Sequence, residues 1–190
     1  MKPRLILILA VVFALSIAMS AGTIGGKVSG AKGGNAVVYL EAAAGKTFPA
    51  PAAKPVIDQK GLMFHPHVTA IQQGTTVDFL NSDKVAHNVF WPSISGNKKL
   101  THNLGTWPTG EKRGFKFDNP GVVTLLCNVH PEMAAYIVVS PTPYFAQVDE
   151  SGTYKIAGVP DGDYTITVWH EGQKNVSKPI KVSGDTKADF

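Results

Sequence analysis

The chain reads as all-β. Three observations carry this. Past the first 20 residues, no window sustains a 3.6-residue apolar period. β-branched and aromatic residues come instead in short runs bounded by Gly, Pro, Asn and Asp. Several runs alternate as half-buried strands do: Val77 and Phe79 oppose Thr76 and Asp78, and Tyr164, Ile166 and Val168 oppose Thr165 and Thr167. Many short strands with turn residues between them point to β-sandwiches.

In chain order, Met1-Lys2-Pro3-Arg4 is followed by an apolar run over 5–18 that only Ser16 interrupts. A short basic region, such a run, and small residues at Ala18 and Ser20 read as a secretory signal peptide over residues 1–20. The glycines from Gly22 onward end the run short of the roughly 20 apolar residues that a membrane span needs. The expected mature chain is therefore periplasmic or secreted, with no membrane span. Losing Lys2 and Arg4 lowers the formal charge of +4 by two, and no basic stripe argues for nucleic acid.

Strands are expected at 23–28 and 36–41. The stretch 46–55 holds Pro49, Pro51 and Pro55 and reads as a linker. Further strands follow at 63–65, 68–72, 75–80, 87–90, 112–117, 121–127 and 135–139. The run at 121–127 is almost continuously apolar, as a central strand should be. Ser140-Pro141-Thr142-Pro143 makes a second break. Beyond it lie strands at 145–148, 153–156, 164–170 and 178–182, with turn signals at Ser151-Gly152 and Asp161-Gly162. Each flank alone is too small to bury a core. Residues 21–50 plus 142–190 are therefore expected to form one discontinuous sandwich, with residues 56–140 inserted as a second. A plainer arrangement leaves the N-terminal strand pair in the inserted domain.

The chain has one cysteine, Cys127, so no internal disulfide forms; the thiol is buried, bridges to another molecule or binds metal. It opens the motif Cys127-x2-His130-x2-Met133, and His87 stands on an earlier strand. Thiolate, imidazole and thioether together suit copper. Taken singly, each residue has a plain structural reading: Cys as a small buried hydrophobe, Met as core filler, His as a satisfied strand residue. Spacing and order together favour a metal centre. Cys127 would end a hydrogen-bonded strand, Pro131 would help turn the chain, and the return strand would bring His130 and Met133 back toward His87. Phe90, Trp91 and Met63 are candidates to wall the site from water.

His65-Pro66-His67 could supply two imidazoles to an auxiliary metal. A proline between them and no carboxylate cluster favour a structural role. His102, in the polar run 98–103, is expected to be solvated, and His170 to be structural or on the surface. No Ser-His-Asp arrangement, phosphate loop or carboxylate pair stands out.

Gly74-Thr75-Thr76-Val77-Asp78-Phe79-Leu80-Asn81, then Ala86-His87-Asn88-Val89, Asn119-Pro120-Gly121 and Cys127-x2-His130-x2-Met133 resemble the cupredoxins. The short ligand loop is similar to that of amicyanin, and the whole arrangement to bacterial methylamine-utilisation and plastocyanin-like proteins. The resemblance implies a Greek-key β-sandwich holding one type 1 copper ion. His87, Cys127 and His130 would be its ligands, Met133 a weak axial one, and Asn88 a brace behind them. It implies single-electron transfer to redox protein partners through the His130 edge. The same ligands would also suit periplasmic copper storage or delivery, with His65 and His67 as a transfer path. A multicopper enzyme is disfavoured, because Cys127 has Leu126 and Asn128 beside it where such enzymes carry a histidine. The chain is thus expected not to be an enzyme. The flanks, through Gly25-Gly26-Lys27-Val28, Asn35-Ala36-Val37-Val38-Tyr39-Leu40 and Asp149-Glu150-Ser151-Gly152-Thr153-Tyr154, resemble a carboxypeptidase-regulatory-like or transthyretin-like β-sandwich.

Overall fold

A computed structural model describes residues 21–31, 33–41 and 47–190 of the chain. The expected signal peptide over 1–20 lies outside the described residues, as does Lys46 at the start of the linker. The regular elements of the described chain are all strands, apart from one 3-10 turn at Lys98–Leu100. In order come β1 (Ala21–Lys27), β2 (Ala36–Leu40), β3 (Val56–Gln59), β4 (Phe64–His65), β5 (Val68–Gln72), β6 (Thr76–Asn81) and β7 (His87–Trp91). Next are β8 (His102–Trp107), β9 (Lys112–Lys116), β10 (Gly121–Leu126), β11 (Ala134–Ser140) and β12 (Phe145–Gln147). The chain closes with β13 (Thr153–Pro160), β14 (Gly162–His170), β15 (Val176–Val182) and β16 (Thr186–Lys187).

Four sheets form, ordered β13-β1-β16, β12-β2-β14-β15, β5-β11-β10-β7-β8 and β4-β3-β6-β9. The first two hold the core of Ile24, Val38, Leu40, Ile156 and Ile166. The last two hold that of Ile57, Phe79, Val89, Val123, Leu125 and Ile137. Strands from opposite ends of the chain pair directly, β1 with β13 and β2 with both β12 and β14. The all-β expectation holds, and the apolar run at 121–127 is indeed central, β10 lying between β11 and β7.

A third core joins the two sandwiches: Val37 and Tyr39 from β2 and Trp169 from β14 pack with Val68 and Val138. The two-residue strand period sorts the side chains. On β2, Ala36, Val38 and Leu40 face the flanking core while Val37 and Tyr39 face the seam. On β11, Ala135, Ile137 and Val139 face the other sandwich while Val138 faces the seam. This explains why all five β2 residues are buried. A strand with cores on both sides has no polar face. At the rim, His67 Nε2 meets Glu171 Oε2 at 2.9 Å and Gln147 Nε2 donates to the Val68 carbonyl at 3.1 Å. Burial, with Glu41 adding, pushes the Tyr39 phenol up to about 12.

The glycines of β1 serve close approach. A Cβ at Gly26 would sit 2.0 Å from the Ala188 carbonyl oxygen. This room lets the C-terminus zip along β1, with Ala188 N–H donating to Gly25 O at 3.0 Å and Phe190 N–H to Lys27 O at 2.8 Å.

Sequence reading missed β3, β8 and β16. β3 follows directly on the prolines and holds Asp58 and Gln59, which masks its short apolar start. β8 is polar with a glycine inside it, and pairing with β7 makes it a strand. β16 has two residues and exists through its parallel pairing with β1.

The seam core should be energetically substantial. Trp169→Ala is expected to cost about 3–5 kcal/mol, as large-to-small changes of buried aromatics do. Urea unfolding followed by tryptophan fluorescence and far-UV circular dichroism checks this; a loss under about 1 kcal/mol would show the seam to be a loose contact.

Candidate metal centre

Three elements bring the site together at one end of the sandwich formed by the β5-β11-β10-β7-β8 and β4-β3-β6-β9 sheets. Cys127 directly follows β10, whose last residue, Leu126, pairs with Phe90 of β7. His87 opens β7, on the neighbouring strand. After Cys127 the chain turns, with Met133 N–H donating to His130 O at 3.0 Å, and returns as β11. His87, Cys127 and His130 each offer one ligand atom, and these atoms all lie within 4.8 Å of one another.

The geometry is that of a prepared metal site. The two Nδ1 atoms of His87 and His130 face each other at 3.0 Å. Their rings lie 4.7 Å apart at 62°. His87 is fully buried, Cys127 is 3% exposed and His130 is half-buried. On its far side, His87 Nε2 lies 2.9 Å from Asp83 Oδ2. Nε2–H donating to that carboxylate leaves Nδ1 as the free electron pair, the arrangement that orients an imidazole toward a metal. Asp83 is itself held, accepting the Gly61 N–H at 2.7 Å and the Leu62 N–H at 2.9 Å. Burial pushes its carboxyl up, but the two amides and the His87 ring together bring it below the ordinary value. Two imidazole nitrogens and a thiol sulfur converging from braced side chains fit copper by their donor chemistry.

Asn88 makes four contacts around the thiol. Its backbone N–H points at Cys127 Sγ at 3.5 Å. Its Oδ1 accepts the Asn128 N–H at 3.3 Å. Its Nδ2 donates to Asn103 Oδ1 at 2.8 Å and to Gly105 O at 2.9 Å. It therefore joins the ligand loop, β7 and β8 in one network.

Met133 is buried in the same core as Cys127. The structure does not bring the remaining histidines to this centre. His65 Nε2 donates to Lys60 O at 3.1 Å, while His67 goes to Glu171 across the seam. His102 lies on β8, not in a loop; although exposed, it stacks on Phe115 at 4.5 Å and Trp91 at 5.2 Å. His170 Nδ1 donates to the Glu171 carbonyl at 2.8 Å. Met63 is 55% exposed, so it does not wall the site. Being at the tip end of a two-residue hairpin, its side chain has no core to enter. Trp91 is buried against Phe115 and Phe117, with its Nε1–H donated to Leu100 O at 3.1 Å.

Sequence reasoning missed Asp83, Asn103 and Asn81. Asn81 holds the loop before His87, donating to Val85 O at 2.9 Å and Trp107 O at 3.0 Å. A carboxylate four residues before a candidate ligand was the available signal for Asp83. Nothing local marks the two asparagines.

Residues 52–140 match the family model described as copper binding proteins, plastocyanin/azurin family. Residues 139–189 match an fn3-like model described as polysaccharide lyase family 4, domain II. Among solved structures, an amicyanin variant in its reduced state aligns at 19% identity and a TM-score of 0.43, over 48% of this chain and 86% of that one. A purple cupredoxin from Nitrosopumilus maritimus aligns at 25% identity and 0.41, over 46% of this chain and 100% of that one. A copper-containing nitrite reductase from Thermus scotoductus SA-01 aligns at 26% identity and 0.43, over 52% of this chain and 25% of that one.

If Asp83 orients His87, Asp83→Ala should lower copper affinity about 10–100-fold while the protein stays folded. Competition with a chelator of known affinity, alongside circular dichroism, measures this. An unchanged affinity would show that packing alone holds the ring.

Proposed function

We propose that the cupredoxin domain of residues 52–140 is a type 1 copper electron carrier that exchanges single electrons with redox protein partners. The observation that carries the reading is the convergence of His87 Nδ1, Cys127 Sγ and His130 Nδ1, braced on its far side by Asp83 and Asn88. Bound copper supplies a one-electron couple there. In this reading His87, Cys127 and His130 would hold it, with Met133 as a weaker fourth donor.

The protein's contribution is rigidity and dryness. Ligands pinned by β10, β7 and the Asn88 network move little between oxidation states, and small rearrangement favours fast transfer. Burial of His87 and Cys127 keeps water off, while half-buried His130 offers an edge to a partner. Leu126 and Asn128 beside Cys127 leave no histidine to wire a second copper centre, so we read the chain as a carrier and not an enzyme.

Export through residues 1–20, to the periplasm or beyond, belongs to the same proposal. So does the reading of residues 21–50 plus 142–190 as one sandwich that holds the copper domain at both of its ends. Among the described residues, no helix is long and apolar enough to cross a membrane.

The test is optical. Copper-loaded protein should show an intense visible thiolate-to-copper band when oxidised and none when reduced. Cys127→Ser should abolish the band. A Cu(II)-loaded wild type that stays colourless sinks the blue-copper assignment. A site that holds Cu(I) without a reversible couple would instead favour copper storage or delivery.

A further inference from the structure

A strand at the end of a sheet is a template for another strand unless something guards it. Most end strands here are guarded. β4, β12 and β16 have only two or three residues. β9 carries Lys112, Arg113 and Lys116, and β15 carries Lys178, Pro179 and Lys181. β13 holds Lys155 and ends on Pro160. The Arg113 guanidinium lies along β8, donating to Leu104 O and to Thr106 O. β5 differs: Val68-Thr69-Ala70-Ile71-Gln72 has no charge and no proline, and among the described residues no strand pairs with its outer side.

The register shows which of its backbone groups are open. His67 O accepts the Tyr136 N–H at 2.8 Å, and Gln73 N–H donates to Ser140 O at 2.7 Å. Successive residues of a strand turn their backbone groups to opposite sides, so the odd-numbered ones face β11 and Val68, Ala70 and Gln72 face away. Val68 O is met by Gln147 Nε2 at 3.1 Å, and Gln72 O by the Thr75 N–H at 3.1 Å. Ala70 lies between them, with a donor and an acceptor turned outward.

A groove of about 520 Å³ runs beside Ala70. Its walls are Pro51 and Pro55 of the linker, and Pro143 and Phe145 at the start of β12. The linker wall is fixed at both ends: Pro49 O accepts from Gln72 Nε2 at 2.9 Å, and Pro55 O from the Asp78 N–H at 3.0 Å. Lys54 is the one charged residue lining the groove. Lys112, Lys116 and Lys187 have carboxylate partners, and among the described residues Lys54 has none. The β5 of a second copy would bring its own linker and β12 into the same space, so the groove fits a single extended chain.

We propose that the open edge of β5 at Ala70 binds an extended segment of a partner protein, with small apolar side chains toward the groove and an acidic side chain opposite Lys54. Main-chain hydrogen bonds to Ala70 supply the binding, and the proline walls and Lys54 select the segment. The site needs no metal, so its test is separate from that of the electron-carrier reading.

The probe is a capped, fluorescent peptide of alternating valine and threonine that ends in glutamate. Anisotropy measures its binding to the full chain, and amide hydrogen exchange by NMR reads Ala70. The peptide should bind and protect the Ala70 N–H. Methylating the backbone nitrogens of either the valines or the threonines removes donors and keeps the side chains; one of the two sets should weaken binding about tenfold. Lys54→Glu should weaken it about tenfold, and lysine in place of the peptide's glutamate should restore it. Ala70→Pro removes the open N–H at an edge position that tolerates proline, and should abolish binding with circular dichroism unchanged. No peptide binding, unchanged exchange at Ala70, or equal affinity of both methylated peptides overturns the proposal. Binding of dodecanoate without the peptide, or a dimer in sedimentation that Ala70→Pro dissolves, overturns it in favour of an amphiphile or a second copy.

Discussion

The seating of β10 between β7 and β11 is the constraint on which the rest depends. Pairing β10 with β11 places Cys127 where one strand ends and sets the span of the loop that carries His130. Pairing Leu126 with Phe90 brings the start of β7 to the same end of the sheet. The ligand atoms then meet within 4.8 Å, His87 from β7 and Cys127 and His130 from the loop that joins β10 to β11. Hydrogen-bonded strands hold positions more closely than side-chain packing does, which is what a centre of low rearrangement requires.

Two polar side chains turn that backbone arrangement into a site. Asn88 links β7, β8 and the ligand loop, and its neighbour His87 is aimed from behind by Asp83. Each of these polar groups has partners, as buried polar groups must. Asp83 has a further part, since it also holds the hairpin in which Leu62 has positive φ. Orientation of a ligand and presentation of an exposed apolar turn thus share one carboxylate.

The sandwiches are not beads on a string. Four sheets enclose three cores, and the middle one is built from β2, β14, β5 and β11. Residues of alternating parity on β2 and β11 serve two cores at once, so neither sheet has a solvent face there. The sandwich of the β13-β1-β16 and β12-β2-β14-β15 sheets is therefore part of the packing of the one that carries the candidate metal centre, and the His67–Glu171 pair marks the rim of that contact.

The sequence by itself determined the fold class and the donor types of the candidate metal centre. Alternation such as Val77 and Phe79 against Thr76 and Asp78 is a local pattern, and the spacing Cys127-x2-His130-x2-Met133 is written in one short segment. The alternation holds because a period needs no knowledge of distant partners, and the Cys127 to His130 spacing leaves those two donors within 4.8 Å of His87. Where a residue's role depends on something far along the chain, reading failed. β8 looked like a polar loop because its strand character comes from pairing with β7. The structural role favoured for His67 came without a partner, and that partner, Glu171, lies 104 residues away. Met63 looked like a wall and proved exposed, since a two-residue hairpin gives it nothing to pack against. Asn103 carried no local mark, and Asp83 showed only its place four residues before His87. Only tertiary structure decided which groups face each other, because hydrogen bonds across strands and burial between sheets are properties of pairs that sequence order does not record.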